Sequence, residues 1–188
     1  MQAAASIKTE LDSYSHQPKF YMLIGVPGAG KSTFIKNCYT RQNKISNYHQ
    51  YDITSAEIIS TDQYIENWAN ELNCSYNDVF KDAIKLAEKF MTRDLLNAIR
   101  DNQNIVWDQT NISSKVRKNK LSKIPDSYYK VAIFFDLPQD LDRRLASRPG
   151  KIIPQEVMQN MTSNIELPSY SEGFNEILVI GSNNESYH

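Results

Sequence analysis

The sequence is poor in the residues that build metal centres and disulfide scaffolds. It contains two cysteines, Cys38 and Cys74, and three histidines in 188 residues. The cysteines stand in no paired or metal-like spacing, so the sequence indicates neither a disulfide scaffold nor a zinc site. His16, His49 and His188 are scattered along the chain and form no group. Unpaired cysteines are typical of proteins from a reducing compartment.

Long apolar runs and an excess of positive charge are also missing. No apolar run approaches the ~20 residues of a membrane-spanning helix, and the N-terminus lacks the basic segment and apolar core of a secretory signal. We therefore expect a cytoplasmic protein with no membrane partner. The formal net charge is −1, so the chain lacks the overall basic charge of non-specific nucleic-acid binders, and any contact with a polyanion must be local.

Length and composition fit one globular domain, with 40% hydrophobic and 23% charged residues. We predict a polar N-terminal extension at residues 1–18, a folded domain at 19–188, and a turn-rich surface excursion at 43–55. Apolar runs typical of buried strands alternate with segments of helical spacing. Ser75 and Asp78 match a capping box, which predicts the start of a long helix. This alternation predicts an α/β fold, a parallel sheet of about five strands flanked by helices.

A glycine-rich stretch, GVPGAGKST, directly follows the apolar run KFYMLI. Gly25, Gly30, Lys31 and Ser32 satisfy the pattern G-x-x-x-x-G-K-[ST] between a predicted strand and a predicted helix, as a P-loop requires. Such a loop turns successive backbone N–H groups toward phosphate oxygens, and the helix adds its positive end. The sequence therefore predicts an ATP site with the contact residues Gly28, Ala29, Gly30, Lys31, Ser32 and Thr33.

The side chains of this loop have separate expected roles. Lys31 is expected to reach the β- and γ-phosphates, and the Ser32 hydroxyl is the expected ligand of Mg²⁺, which prefers hard oxygen donors. Thr33 is placed for an additional phosphate contact. The alternative is a glycine-rich turn between a strand and a helix that binds nothing.

Two aspartates follow predicted strands. Asp62 comes after EIIST and Asp108 after NIVW, and the carboxyl ends of parallel strands face the ligand crevice. An aspartate at the position of Asp62 can accept the proton of an attacking hydroxyl; its alternative role is the N-cap of a helix that starts near Gln63. Asp108 is a candidate metal-shell or substrate-positioning group, or a residue of a turn or helix start.

Three arginines lie in the stretch DRRLASRPGK, which predicts a short helix that breaks at Pro149. Arg144 and Arg148 are four residues apart and would share one helix face. From there they could close over a nucleotide as a lid and supply guanidinium groups to a transferring phosphoryl group. The alternative is a solvated basic helix, in which Arg143 and its neighbours serve only solubility.

Two further patterns bear on nucleic-acid binding. Tyr64 and Trp68 are four apart after Asp62 and could stack on a base, although this spacing also fits a pair of core residues. Five cations within nine residues of the predicted helix SSKVRKNKLSK form a possible phosphate-tracking patch or a solvated helix face: Lys115, Arg117, Lys118, Lys120 and Lys123.

The motifs GVPGAGKST, STDQY, VWDQTN and DRRLASRPGKIIP occur together in this order. Over residues 20–180 the sequence resembles the kinase domain of the bacteriophage-type 5′-hydroxyl polynucleotide kinases and their wider P-loop kinase relatives. The resemblance implies ATP-dependent transfer of the γ-phosphate to a hydroxyl. It also implies ATP and Mg²⁺ as ligands and, as the leading acceptor, the 5′ end of DNA or RNA.

By the same resemblance, Lys31 and Ser32 act on the phosphates and Mg²⁺, and Asp62 is the general base. Asp108 is the aspartate of the second strand end, and the lid arginines are Arg144 and Arg148. The sequence departs from the family at one position. Three residues after the base aspartate, where those kinases carry an arginine that holds a substrate phosphate, this chain has Ile65.

Two other functional interpretations remain beside polynucleotide 5′-hydroxyl kinase. One is a related P-loop kinase whose acceptor is a nucleoside, a small metabolite or a hydroxymethylated base within DNA. The other is a non-catalytic nucleotide-gated binding protein or a slow ATPase. An aspartate and lid arginines around a P-loop favour a kinase over this last class.

Overall fold

Strands and helices alternate along the chain in the computed structural model, which describes residues 17–39, 53, 55–148, 151–181 and 186–187. The strands are β1 (Lys19–Ile24), β2 (Glu57–Ile59), β3 (Ile105–Asp108), β4 (Tyr129–Phe135), β5 (Glu176–Ile180) and β6 (Ser186–Tyr187). The helices are α1 (Lys31–Tyr39), α2 (Thr61–Glu71), α3 (Tyr76–Arg100), α4 (Ser114–Leu121), α5 (Leu141–Ala146) and α6 (Gln155–Ser163), with a 3-10 turn at Tyr170–Glu172.

The strands of the described residues form a single sheet in the order β2-β3-β1-β4-β5-β6. The first five are parallel, and β6 pairs antiparallel with β5. The predicted α/β fold with five parallel strands is therefore confirmed. The sixth strand was not predicted, since two residues are too short to show a period-2 pattern. In the sheet, β2 and β3 lie on one side of β1, and β4 and the strands after it lie on the other side. This reversal creates a crevice at the carboxyl end of β1.

Both faces of the sheet are buried, as the continuous apolar strands require. One face packs α3 and α4 against the sheet through Phe20, Met22, Trp107, Met91, Leu95 and Leu121. The other face packs α1, α5 and α6 through Tyr21, Leu23, Phe34, Leu141, Leu145 and Met158. Within the described part of the chain, no helix is long and apolar enough to cross a membrane.

The predicted surface excursion at 43–55 and the extension at 1–18 lie almost wholly outside the described residues. Of the excursion, the structure describes Ile53 and Ser55. Ile53 is fully buried in the same cluster as α1 and α6, so this residue belongs to the core and not to the surface.

Helix boundaries confirm one prediction and correct two. The capping box is present at the start of α3, with reciprocal hydrogen bonds between Ser75 and Asp78. Asp62 neither ends β2 nor caps α2: the strand ends at Ile59, Ser60 is the extended N-cap residue, and Asp62 is the second residue of the helix. A carboxylate in this first turn interacts favourably with the positive end of the helix.

The second correction concerns the arginines, which do not share one helix face. The helix α5 ends at Ala146, and Arg148 lies two residues beyond it. The residue before a proline is disfavoured in helical conformation, and Arg148 precedes Pro149. The proline therefore ends the helix earlier than the spacing of the arginines predicts.

Candidate active site

A cleft of about 530 Å³ opens at the carboxyl ends of β1, β2 and β3. Its wall consists of the glycine-rich loop, the start of α2, the end of β3, and α5 with the segment that follows it. All but one of the predicted site residues line it: Gly28, Gly30, Lys31, Ser32, Thr33, Asp62, Asp108, Arg144 and Arg148. The exception is Ala29, which is buried in the core. Its expected contribution was its backbone N–H.

Two glycines of the loop are required by its backbone. Gly28 and Gly30 have φ angles of 85° and 113°, in the left-handed region that residues with a Cβ rarely adopt. At Gly28 an added Cβ would also lie 2.9 Å from a methyl carbon of Leu141. The loop therefore packs directly against α5, the helix that carries Arg144.

Lys31 is the first residue of α1, and its side chain is folded into the loop. The ammonium donates to the carbonyl oxygens of Gly25 at 2.8 Å and Val26 at 3.0 Å. Burial lowers the pKa of Lys31 to about 8, although the charges of Asp108 and Asp62 act to raise it. The ammonium is thus a cation held at the base of the cleft, facing the two carboxylates.

Both carboxylate oxygens of Asp62 have a donor. Tyr76 donates its hydroxyl to Oδ1 at 2.6 Å, and Lys151 donates to Oδ2 at 2.6 Å. Burial acts to raise the pKa of Asp62, but the charge of Lys151 and the two hydrogen bonds outweigh it and hold this pKa below its ordinary value. The side chain is about half exposed, so Asp62 is an ionised carboxylate at the rim of the cleft.

Sequence reasoning missed Lys151, Tyr76 and Glu66. The Lys151 ammonium lies between Asp62 and Glu66, 3.1 Å from the latter, and 4.1 Å from the centre of the Tyr76 ring. No local pattern joins these residues, because the packing of α2 on α3 brings Tyr76 to Asp62 and the segment after α5 brings Lys151. The one available signal for Lys151 was its position within the stretch DRRLASRPGK.

Replacing Tyr76 by phenylalanine should raise the pKa of Asp62, because it removes a hydrogen bond to the ionised form and keeps the ring beneath Lys151. In a ¹³C NMR titration the carboxyl should take up its proton at higher pH than in the wild type. Tyr64→Phe is the matched control, since the Tyr64 hydroxyl donates to Asp94. An unchanged Asp62 titration in Tyr76→Phe would refute the contact.

Asp108 is the last residue of β3 and lies inside the cleft. Burial raises the pKa of its carboxyl, against the charge of Lys31, and the nearby Asp62 raises it further. Within the described residues there is no group of three or more histidines, cysteines, aspartates or glutamates that could hold a metal ion. The Ser32 hydroxyl and the Asp108 carboxylate nevertheless provide the hard oxygen donors that suit Mg²⁺, an ion usually held by one or two protein oxygens plus phosphates and waters.

The arginines divide into two groups. Arg144 and Arg148 line the cleft, and the guanidinium of Arg144 is also bound to Asp140 at 2.6 Å. Arg143 pairs with Asp140 as well, but its side chain is 83% exposed and lies outside the cleft lining. The cleft therefore receives two guanidinium groups from the region that the sequence predicted as a lid.

The aromatic pair Tyr64 and Trp68, and Ile65 directly after the STDQY motif, pack against α3. Tyr64 and Trp68 pack on Phe90 of α3, with ring centres 5.5 and 5.9 Å from its ring. Ile65 is fully buried with Ala83 and Ala87 of α3. None of these side chains lines the cleft.

The cations of α4 are not a single patch. Arg117 is fully buried, bound to Glu172 at 2.7 Å and to four backbone carbonyl groups that include those of Asn111 and Glu166. Lys120 also points inward, toward Gln109 and Asn111. Neither alternative, a phosphate-tracking patch or a solvated helix face, therefore includes all five cations, and the exposed ones are Lys115, Lys118 and Lys123.

Comparisons with known proteins agree with this architecture. The sequence profile of a family described as an AAA domain matches residues 20–168. No curated protein matches the chain. A candidate kinase from Chloroflexus aurantiacus has a similar structure, with a TM-score of 0.60, 14% identity, and coverage of 88% of this chain and 86% of that one.

Two other solved structures are similar. A chain of the PezAT toxin-antitoxin system of Streptococcus pneumoniae has a TM-score of 0.59 at 17% identity, with 92% of this chain and 71% of that one covered. A chain of a Pnkp1/Rnl/Hen1 complex has a TM-score of 0.50 at 19% identity; the match covers 75% of this chain but 43% of that one. At these identities the likeness concerns the fold. The chain belongs to the AAA domain family, and its fold is that of a nucleotide-binding, P-loop kinase-like protein.

Proposed function

We propose that the protein is a kinase that transfers the γ-phosphate of ATP to a hydroxyl group, with the 5′-hydroxyl end of DNA or RNA as the leading acceptor. The observation that carries the proposal is the position of Asp62, an ionised carboxylate at the rim of the cleft that the P-loop and Lys31 occupy. A P-loop alone serves switches and motors as well. A carboxylate that can receive a hydroxyl proton beside it favours transfer to an alcohol.

The nucleotide side of the cleft would act through charge. The N–H groups of the loop and the Lys31 ammonium would hold the β- and γ-phosphates, and Arg144 and Arg148, which line the same cleft, would add guanidinium groups to the phosphoryl group. Ser32 and Asp108 are the residues that would hold Mg²⁺, which when bound neutralises phosphate charge. These cations stabilise the negative charge that spreads over the phosphoryl oxygens during transfer.

The acceptor side would act through Asp62. The acceptor oxygen forms a bond to the γ-phosphorus, the bond from that phosphorus to the β–γ bridging oxygen breaks, and the hydroxyl proton passes to the Asp62 carboxylate. ADP leaves with the bridging oxygen. Because Tyr76 and Lys151 each donate to one oxygen of Asp62, the acceptor hydroxyl must displace one of these donors or share an oxygen with it.

The choice of acceptor rests on the resemblance of the motifs to 5′-hydroxyl polynucleotide kinases. Two observations favour a smaller acceptor as the second candidate: Ile65 is buried where those kinases hold a substrate phosphate, and Arg117 and Lys120 point inward. The exposed cations left for nucleic-acid contact are Lys115 and Lys118 on α4 and Lys123 just after it. A nucleic-acid acceptor and a small acceptor differ in how strongly acceptor binding depends on the length of the acceptor and on salt.

Transfer from labelled ATP to oligonucleotides, nucleosides, metabolites and DNA containing hydroxymethylated bases tests the proposal. For a nucleic-acid acceptor, KM should fall as the oligonucleotide is lengthened, and binding should weaken with salt by a log–log slope of about −0.7 per phosphate contacted. No gain from length and little salt effect would favour a small acceptor. ATP consumption without transfer to any acceptor would indicate an ATPase, and no consumption would indicate a nucleotide-gated binding protein.

Replacing Arg148 by alanine should lower kcat more than it raises the KM for ATP, because a lid arginine acts most strongly on charge that develops during transfer. Lysine should rescue poorly, since it lacks the planar fork. Steady-state kinetics measure both effects. Arg143→Ala is the matched control, because that side chain is 83% exposed. An unchanged kcat in Arg148→Ala would show that Arg148 does not act on the transferring phosphoryl group.

A further inference from the structure

Gln109 lies at the junction of β3, α2 and α4. It is part of the motif VWDQTN, but the sequence assigned it no role. It follows Asp108 and lines the cleft. The carbonyl oxygen of its side chain accepts from Nε1 of Trp107 at 2.9 Å and from Nζ of Lys120 at 2.5 Å. Its amide nitrogen donates to Oγ1 of Thr61 at 3.1 Å. Thr61 is the residue before Asp62.

The orientation of the Gln109 amide is fixed by the chemistry of its neighbours. An indole N–H and an ammonium can only donate hydrogen bonds, so both must face the carbonyl oxygen of Gln109. If the amide were turned over, its NH₂ group would meet two donors and lose both bonds. The NH₂ group therefore faces Thr61 and donates one N–H to its hydroxyl, and the second N–H has no partner among the described residues.

The two donors are themselves held in place. Trp107 is 1% exposed, and the Lys120 ammonium lies 5.1 Å from the centre of its ring and 2.6 Å from Oδ1 of Asn111. Asn111 in turn donates to the carbonyl oxygen of Leu23 in β1 at 2.7 Å. A network anchored on two strands thus holds the Gln109 amide at the cleft wall, hydrogen-bonded to the residue before Asp62, and pre-positioned donors are effective in recognition.

We propose that Gln109 is a specificity-determining residue that donates its second N–H to an oxygen of the acceptor next to the reacting hydroxyl. This inference rests on the proposed kinase function and narrows its substrate class. The acceptor carries a second, hydrogen-bond-accepting oxygen close to the hydroxyl that is phosphorylated. An alcohol without such an oxygen leaves the Gln109 donor unpaired and is a poor substrate.

Gln109→Glu tests the inference with the smallest change in shape. One carboxylate oxygen still accepts from Trp107 and Lys120, and the Lys120 ammonium balances the added charge. The other oxygen accepts a hydrogen bond from Thr61 but cannot donate to the acceptor. We expect kcat/KM for the acceptor to fall by about tenfold to a hundredfold, the scale of one lost hydrogen bond to a buried partner. The KM for ATP should stay close to the wild-type value.

The measurement uses a 5′-hydroxyl oligonucleotide, or the compound that the wild-type protein phosphorylates best in the transfer screen. Gln109→Met removes the donor without adding charge. It should also lower kcat/KM for the acceptor, through a higher acceptor KM. The control is Gln63→Glu, which adds the same charge at an exposed position of the cleft wall and should lower acceptor kcat/KM much less.

The outcomes separate this inference from the kinase proposal. If the wild-type protein transfers phosphate and both Gln109 variants keep the wild-type acceptor kcat/KM, the role of Gln109 is refuted and the kinase proposal stands. Equal losses for ATP and acceptor would also refute it, since they indicate a general structural role. If the wild-type protein transfers phosphate to nothing in the screen, the kinase proposal fails and this inference fails with it.

Discussion

Lys31→Ala should reduce phosphoryl transfer by about 10³-fold, the scale of removing a single pre-positioned charge or donor from a transition state. The Lys31 ammonium lies at the base of the cleft, 2.8 and 3.0 Å from two carbonyl oxygens of the loop. Without it, the loop can still turn its N–H groups toward phosphate, but it lacks the cation that follows the charge during transfer. Single-turnover transfer from labelled ATP measures the loss directly.

The fold should survive this substitution. Lys31 starts α1 and contacts backbone oxygens, which water can reach from the open cleft once the side chain is shortened. Circular dichroism and the melting temperature should therefore stay near their wild-type values. Lys89→Ala, at an exposed position of α3, is the control and should transfer phosphate normally. Normal turnover in Lys31→Ala would overturn the assignment of the loop as the phosphate site.

The nucleotide half of the cleft could be predicted from the sequence because its determinants are local. Glycines at positions 28 and 30, a buried strand before them and a helix after them are neighbours in sequence. The φ angles of 85° and 113° explain why glycine stands at both positions. The same holds for the parallel sheet, since continuous apolar strands separated by helices fix its class.

The acceptor half could not be predicted in this way. The hydrogen bond from Tyr76 to Asp62 spans 14 positions, and that from Lys151 to Asp62 spans 89. They depend on how α2 packs on α3 and on where the chain goes after α5. The end of α5 shows the limit of spacing arguments: a four-residue interval predicted a shared face for Arg144 and Arg148, but Pro149 ends the helix first.

The roles of the α4 cations could not be predicted from the sequence for a related reason. A run of cations can be recognised in the sequence, but the role of each cation depends on whether its side chain is buried or exposed. Arg117 serves as a fully buried partner of Glu172, and Lys120 orients the amide of Gln109. A helix with charges at every angle must turn some of them inward, and the buried ones need partners. The residues opposite them, Glu172 and Gln109, carry no motif that would reveal the pairing.

Asp62→Asn should lower kcat by 10² or more, the usual scale for a positioned general base, while the affinity for ATP barely changes. Asparagine keeps the shape of the side chain: its oxygen can accept from Lys151, and its NH₂ can donate to the Tyr76 hydroxyl, which reverses its role. What it cannot do is take the proton of the acceptor. Transfer kinetics and ATP binding, measured on the same preparation, separate the two effects.

Glu66→Gln is the matched control for Asp62→Asn, because Glu66 also binds Lys151, at 3.1 Å, and lies in the same cleft. It loses a carboxylate near Lys151 but not the candidate base, so its kcat should fall far less. The competing role of Asp62 is structural, since a carboxylate in the first turn of α2 stabilises the helix by about 0.3–1 kcal/mol. If Asp62→Asn keeps its kcat and loses only this stability, Asp62 serves the helix and the base must be sought elsewhere in the cleft, with Asp108 as the next carboxylate to test.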